Sequence, residues 1–223
     1  MNILGIDTSS KACSCAVFND DLLLSETYLN VGLTHSAVLM NLLENTLSNS
    51  GLSFSQIDKL VTTIGPGSYT GIRIGLSTIK GLAFERNLPC TGVSTLESLA
   101  FNLTAFNSTV CAVLDARVGQ VFAALFSINQ GIITRISDDA PMTIDELEKI
   151  IPENCMLCGD GAQLVANSLA HKNLICAPPH LVYQRASSAV LAAKEKPAET
   201  ALQLVPNYHR KSQAERERDS RLK

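Results

Sequence analysis

The sequence predicts an α/β protein made of two successive copies of one βββαβαβα unit, the second abbreviated. Two observations predict it. Apolar residues switch repeatedly between strand-like and helix-like spacing. The order of elements read this way runs once to about residue 105 and then starts again, without visible repetition of sequence. The chain has 223 residues, 46% of them apolar and 17% charged, so it can bury real cores without disulfides or metals. Residues 1–105 and 106–205 are read as the two units, and 206–223 as a charged tail.

Each element has its own signal. Residues 2–6 form an apolar run that stops at Asp7-Thr8-Ser9-Ser10, and residues 12–18 and 22–29 follow across the Asp20-Asp21 turn. Three short strands joined by tight turns make an antiparallel meander. Residues 36–48 read as a helix, because Val38, Leu39, Leu42, Leu43 and Leu47 recur at helical spacing; Thr34 or Ser36 can cap it and Gly51 ends it. A strand at 59–64, a helix at 71–85, a strand at 91–93 and a helix at 95–102 complete the first unit, with Ser68 as the cap before the Gly71 helix.

The second unit reads as strands at 109–115, 120–127 and 132–137, then a helix at 143–151. Thr143 caps that helix and Glu146 stands in the capping-box position. A strand at 154–158, a helix at 162–169, an edge strand at 174–177 and a last helix at 187–194 finish it. From Pro206 onward charges dominate and apolar residues nearly vanish, which describes a solvated tail or a segment that orders on a partner or on RNA phosphate.

Composition also excludes. The net charge of -3 and the absence of tryptophan argue against a chain that grips nucleic acid by itself. No run is long enough for a membrane span, and the apolar run after Met1 is too short for a signal peptide. Seven scattered cysteines then read as free thiols of a cytoplasmic protein. Cys155 and Cys158 have CxxC spacing, but in a strand they point to opposite faces and no second ligand pair completes a zinc site. Cys13 and Cys15 share one strand face and read as core.

Two motifs at this spacing carry a resemblance. One is Ile3-Leu4-Gly5-Ile6-Asp7-Thr8-Ser9; the other is Gly65-Pro66-Gly67-Ser68-Tyr69-Thr70-Gly71-Ile72-Arg73-Ile74-Gly75. With Asp115-Ala116-Arg117 and Val205-Pro206-x-Tyr208-x-Arg210, they resemble the TsaB branch of the actin-like (ASKHA) superfamily over nearly the whole chain. The resemblance implies two RNase H-like domains around a cleft. It implies a non-catalytic subunit that pairs with a catalytic paralogue, TsaD, and works with an ATPase, TsaE. The reaction is transfer of threonylcarbamoyl to N6 of adenosine 37 of tRNA, so tRNA is met through the complex. It also implies a homodimer when the paralogue is absent. Family members often carry Glu-Val-Tyr where this chain has Gln120, Val121 and Phe122.

The chemistry of the catalytic paralogue is missing. Its His-x-x-x-His pair on one helical face holds a metal. The matching positions here are Thr95 and Leu99, and none of His35, His171, His180 and His209 makes a pair at ligand spacing. His35 reads as a surface residue. An actin-fold kinase would use the turn after the first strand, so Asp7, Thr8 and Ser9, with Gly159 and Gly161, are the candidate contacts for ATP or ADP. The same residues read more simply as turn formers and caps, and no cofactor is required by this reading. The alternative function is a stand-alone actin-fold enzyme, a small-molecule kinase or a glycoprotease-type metallopeptidase.

What the sequence does carry is a docking face. Gly71, Gly75, Thr78 and Leu82 share a stripe on the 71–85 helix, and Gly81 is a third glycine in it. Glycine within a helix costs about 1 kcal/mol against alanine, so a stripe of small residues implies close approach of another backbone. That backbone belongs either to a partner or to the chain's own sheet. Leu39, Leu42 and Leu43 of the first helix, with Gly71, Ile72, Gly75 and Ile79 of the second, are the expected seam. Gly75→Glu is then expected to abolish pairing and spare the fold.

Overall fold

The computed structural model describes residues 1–208. Of the charged tail, residues 209–223 lie outside them, and with them His209 and Arg210 of the C-terminal motif.

Strands β1 (Asn2–Asp7), β2 (Cys13–Asn19) and β3 (Leu22–Leu29) form the expected meander. Helix α1 (His35–Ser50) follows, then β4 (Lys59–Gly65), α2 (Tyr69–Phe84), β5 (Cys90–Ser94) and α3 (Thr95–Phe101). β4 and β5 run parallel to β1, giving a five-stranded sheet of order β3-β2-β1-β4-β5. Parallel strands need a crossover, and α1 and α2 are those crossovers. They cover the same face of the sheet, with Leu4, Ile6, Leu39, Leu42, Leu43, Ile72 and Ile79 in one buried cluster.

The second sheet repeats the order. Strands β6 (Ser108–Arg117), β7 (Gln120–Asn129) and β8 (Ile132–Arg135) are its meander, with β9 (Ala140–Thr143) paired to β7. Helix α4 (Ile144–Ile150), β10 (Met156–Cys158), α5 (Ala162–Ser168), β11 (Ile175–Cys176) and α6 (Ala186–Ala192) complete it, in the order β11-β10-β6-β7-β8. The abbreviation lies in the helices: α4 and α5 have 7 residues each where α1 and α2 have 16. β9 was not expected, because Pro141 removes a ladder donor from its four residues and such a strand can sit only at an edge.

One placement departs from the order along the chain. The last helix, read as part of the second unit, covers the first sheet: Ala186, Ala189, Val190 and Ala193 of α6 are buried with Ile3, Ala16, Val61 and Val93. A Cβ on Gly5 would lie 2.5 Å from a methyl of Val190, so α6 sits directly on β1. In exchange, Leu96, Leu99, Ala100 and Leu103, from α3 and the turn after it, are buried with Val110, Leu114 and Phe126 of the second sheet. Each unit's last helix thus caps the other unit's sheet. An apolar face must be covered, but the element order does not say by which helix. Residues 194–208 continue along the first unit, bridging Cys90 to Glu199 and bonding Asn207 N–H to the Ile64 carbonyl at 2.8 Å.

Local signals hold where they were strongest. Thr143 and Glu146 form the capping box, and the Ser68 hydroxyl accepts from Gly71 N–H. Thr34 is the N-cap position of α1 without a side-chain cap bond. Cys155 and Cys158 are buried on opposite faces, one in each core of the second sheet, and all seven cysteines are free. Burial raises the Cys155 thiol to about 12, which leaves it an inert core group at neutral pH.

Candidate functional site: a closed cleft and an open helical face

The cleft turn begins at Asp7, the last residue of β1. Asp7 is 0% exposed. Its Oδ1 accepts from Ser9 N–H at 2.9 Å and from the Ser9 hydroxyl at 2.7 Å, while Oδ2 meets no donor among the described residues. Burial pushes its pKa up to about 6, against the opposing hydrogen bonds of Ser9 and weaker help from Thr63 and His35. The folded pKa therefore lies above the unfolded value of 3.8, so the fold favours the protonated acid. The resulting stabilisation is present below pH 4 and is lost as pH rises toward 6 and beyond. It amounts to roughly 3 kcal/mol across that window. Asp7→Asn, which keeps the acceptor for Ser9, is expected to gain stability relative to wild type as pH rises from 4 to 7. Denaturant melts at both pH values check this, and a pH-independent difference would sink it.

The neighbouring residues are spent on internal contacts. Thr8 and Ser9 are buried, and the Thr8 hydroxyl donates to the Gly71 carbonyl at 2.7 Å. Ser9 carbonyl accepts from Ser68 N–H at 2.6 Å, and a Cβ on Gly67 would lie 2.2 Å from that same oxygen. On the other side, Gly159 N–H donates to the Val182 carbonyl at 2.6 Å and Gly161 N–H to the Val113 carbonyl at 3.1 Å. Gly159 has φ +100°, and a Cβ there would lie 2.0 Å from the Val113 oxygen. The Ser10–Asp160 hydrogen bond thus brings the two candidate nucleotide turns side by side, as packed turns whose hydrogen bonds are made largely within the protein.

Asp160, between the two glycines, was not singled out in the sequence, although an acid framed by glycines is a usable signal. Its carboxylate ties the units together, accepting from the Ser10 hydroxyl at 2.9 Å and from Asp115 N–H at 3.0 Å. His35 also differs from expectation. It is half-buried, and its Nε2 lies 2.7 Å from the Ser10 carbonyl, to which it donates. Thr95 and Leu99 are both fully buried, and Leu99 packs in the core beneath the second sheet. Phe122 is in that core too, so the site of the family's tyrosine holds an apolar ring here. Among the described residues no three His, Cys, Asp or Glu side chains come together as a ligand set.

The expected seam residues need correction. Leu42, Leu43, Ile72 and Ile79 are buried between α1, α2 and their own sheet, and Leu39 is 2% exposed. Gly71 and Gly75 do permit a close approach, but to the β1 turn. A Cβ on Gly71 would lie 2.0 Å from the Thr8 carbonyl, and one on Gly75 would lie 2.6 Å from the Thr8 hydroxyl. Gly75→Glu would therefore disrupt the fold before it could report on pairing. The reason is geometric: α2 lies on its sheet with Gly71 and Gly75 turned toward the β1 turn. The open face of α1 and α2 is instead a groove of about 500 Å³, bordered by Met40, Tyr69, Arg73, Ile74, Ser77 and Thr78, with Leu39 at its floor. Met40 is 48% exposed there.

Comparison with known proteins bears on this arrangement. The family model described as TsaD, tRNA N6-adenosine threonylcarbamoyltransferase, matches residues 30–217. A Bacillus subtilis protein described as tRNA threonylcarbamoyladenosine biosynthesis protein TsaB is 30% identical over 96% of each chain. This chain belongs to the TsaB (YeaZ-type) family. The Escherichia coli protein of the same description is 39% identical over 56% of this chain and 54% of its own. A Pseudomonas aeruginosa structure described as having similarity to peptidase YeaZ superposes with TM-score 0.81 at 24% identity, covering 94% of this chain and 99% of that one. That likeness is one of fold. The chain's two sheets have the same strand order and are joined through exchanged helices. Among the described residues no helix is long and apolar enough to cross a membrane.

Proposed function

We propose that this chain is a non-catalytic subunit in formation of N6-threonylcarbamoyladenosine at position 37 of tRNA, docking a TsaD-like catalytic paralogue through the α1–α2 face. The observation that carries the reading is a contrast within one molecule. The cleft, where an actin-fold enzyme does its chemistry, has its two turns closed on internal carbonyls and latched by Asp160. The α1–α2 face is an open groove with apolar walls. The family's naming supports the pathway. The buried Thr95 and Leu99, at the positions of the paralogue's histidines, support a role without metal chemistry.

On this proposal the chain needs no cofactor of its own, and the ATP of the reaction is handled by a TsaE-like ATPase. tRNA is met through the assembled complex, because a chain of net charge -3 offers little field for phosphate. Without the paralogue, the same face would pair with a second copy. Free cysteines fit the reducing cytoplasm proposed as its compartment. Isothermal titration is the test. ATP with Mg²⁺ should give no saturable heat, and the paralogue should give a saturable one-to-one curve. Saturable ATP binding or turnover by the purified chain would favour a stand-alone actin-fold enzyme.

A further inference from the structure

Arg73 stands at the rim of the groove, on the exposed side of α2. Its guanidinium is held in place from two parts of the chain. Nε donates to the Tyr208 hydroxyl at 2.7 Å, and Nη2 donates to the Tyr69 hydroxyl one turn earlier on α2. The guanidinium carbon lies 4.0 Å from the centre of the Tyr69 ring, and the two tyrosine rings stack at 4.6 Å. Tyr208 is itself positioned, since the preceding Asn207 N–H bonds to the Ile64 carbonyl at 2.8 Å at the end of β4. This last described residue of the chain thus reaches the docking face.

Among the described residues Arg73 has no carboxylate partner. Elsewhere Arg185 pairs with Glu26 at 3.1 Å and Arg135 with Asp139 at 2.6 Å, while among the described residues no acid lies within ion-pair distance of Arg73. Neutral phenols fix the orientation of the cation without cancelling its charge. An arginine fork is suited to carboxylate, and one already ordered loses little side-chain entropy when it pairs. A free arginine on the surface would ordinarily sample many rotamers; two hydrogen bonds and a ring contact oppose that freedom here, beside an apolar groove.

Building on the docking role proposed above, we infer that Arg73, clamped by Tyr69 and Tyr208, is a preformed anchor for a carboxylate on the paralogue's helix seated in the α1–α2 groove. The occupant is then an amphipathic helix with an apolar ridge against Leu39, Met40 and Ile74 and an Asp or Glu at the rim. Tyr208 acts as a positioning residue in this scheme, which gives the C-terminal segment a part in partner recognition.

The experiment measures affinity of the full chain for the purified TsaD-like paralogue at low and high NaCl. Arg73→Ala is expected to weaken binding about tenfold or more at low salt, and to remove most of the salt dependence seen in wild type. Arg73→Lys keeps the charge but not the fork and is expected to recover only part of the loss. Tyr208→Phe, which frees Nε, is expected to weaken binding about threefold, with an unchanged melting temperature. Wild-type affinity in Arg73→Ala, a full salt dependence in that variant, or loss of self-association alone would overturn the anchor. Met40→Arg separates the two layers of the argument. If it leaves pairing intact, the docking face itself is wrong. If it breaks pairing while Arg73→Ala does not, only the anchor is wrong.

Discussion

Met40→Arg is expected to lower affinity for the paralogue by roughly 30- to 1000-fold, the range of 2–4 kcal/mol that central contacts of an interface carry. Met40 lies on α1 with 48% of its surface exposed, at the wall of the groove. Arginine is a good helix former, so the helix itself loses little. Seated against an apolar ridge, its guanidinium would have to shed water without a partner, and Arg73 at the rim adds like charge. Folding should be nearly unaffected, since surface substitutions of this kind usually change stability by about 0.5 kcal/mol or less. Co-purification and titration against the paralogue, with a melting curve beside them, measure both halves. A variant that binds as wild type does would remove α1–α2 from the interface.

Gly71→Ala should destabilise the chain by roughly 3 kcal/mol or more, although alanine is the better helix residue by about 1 kcal/mol. The added methyl would lie 2.0 Å from the Thr8 carbonyl, and the Thr8 hydroxyl is already bound to the Gly71 carbonyl. Backbone presses on backbone there, so neither side can swing away. For a chain of this size the loss corresponds to a fall in melting temperature of about 10 °C. Gly81, in the same helix, has nothing within 4 Å of an added Cβ, so Gly81→Ala is the control and should gain up to about 1 kcal/mol. Equal melting temperatures for the two variants would refute the close approach of α2 to the β1 turn.

Much of the fold was legible in the residues. The meander at β1 to β3, the two long helices and the repeated strand order all follow from apolar spacing and turn residues. The Thr143–Glu146 capping box was readable because all its parts lie within four residues. The candidate site was less legible. The glycine stripe of α2 was found, but the spacing left open whether a partner or the chain's own sheet came close to it. Leu39, Leu42 and Leu43 were assigned to an outer seam, whereas the same helical stripe faces inward onto Leu4 and Ile6. Asp160 entered only through a partner far away in the chain, Ser10, and Tyr208, legible as part of a motif, acquired its contact with Arg73 only in the fold.

The sequence by itself determined the kind of each element, their order and the local caps, because those depend on spacings of one to four residues. It also carried the two motifs that mark the family. Only the tertiary structure decided that α3 and α6 exchange sheets, that the small face of α2 lies against Thr8, and that Tyr208 clamps Arg73. Those outcomes turn on which distant surfaces meet, and a periodic stripe reads the same whichever surface covers it.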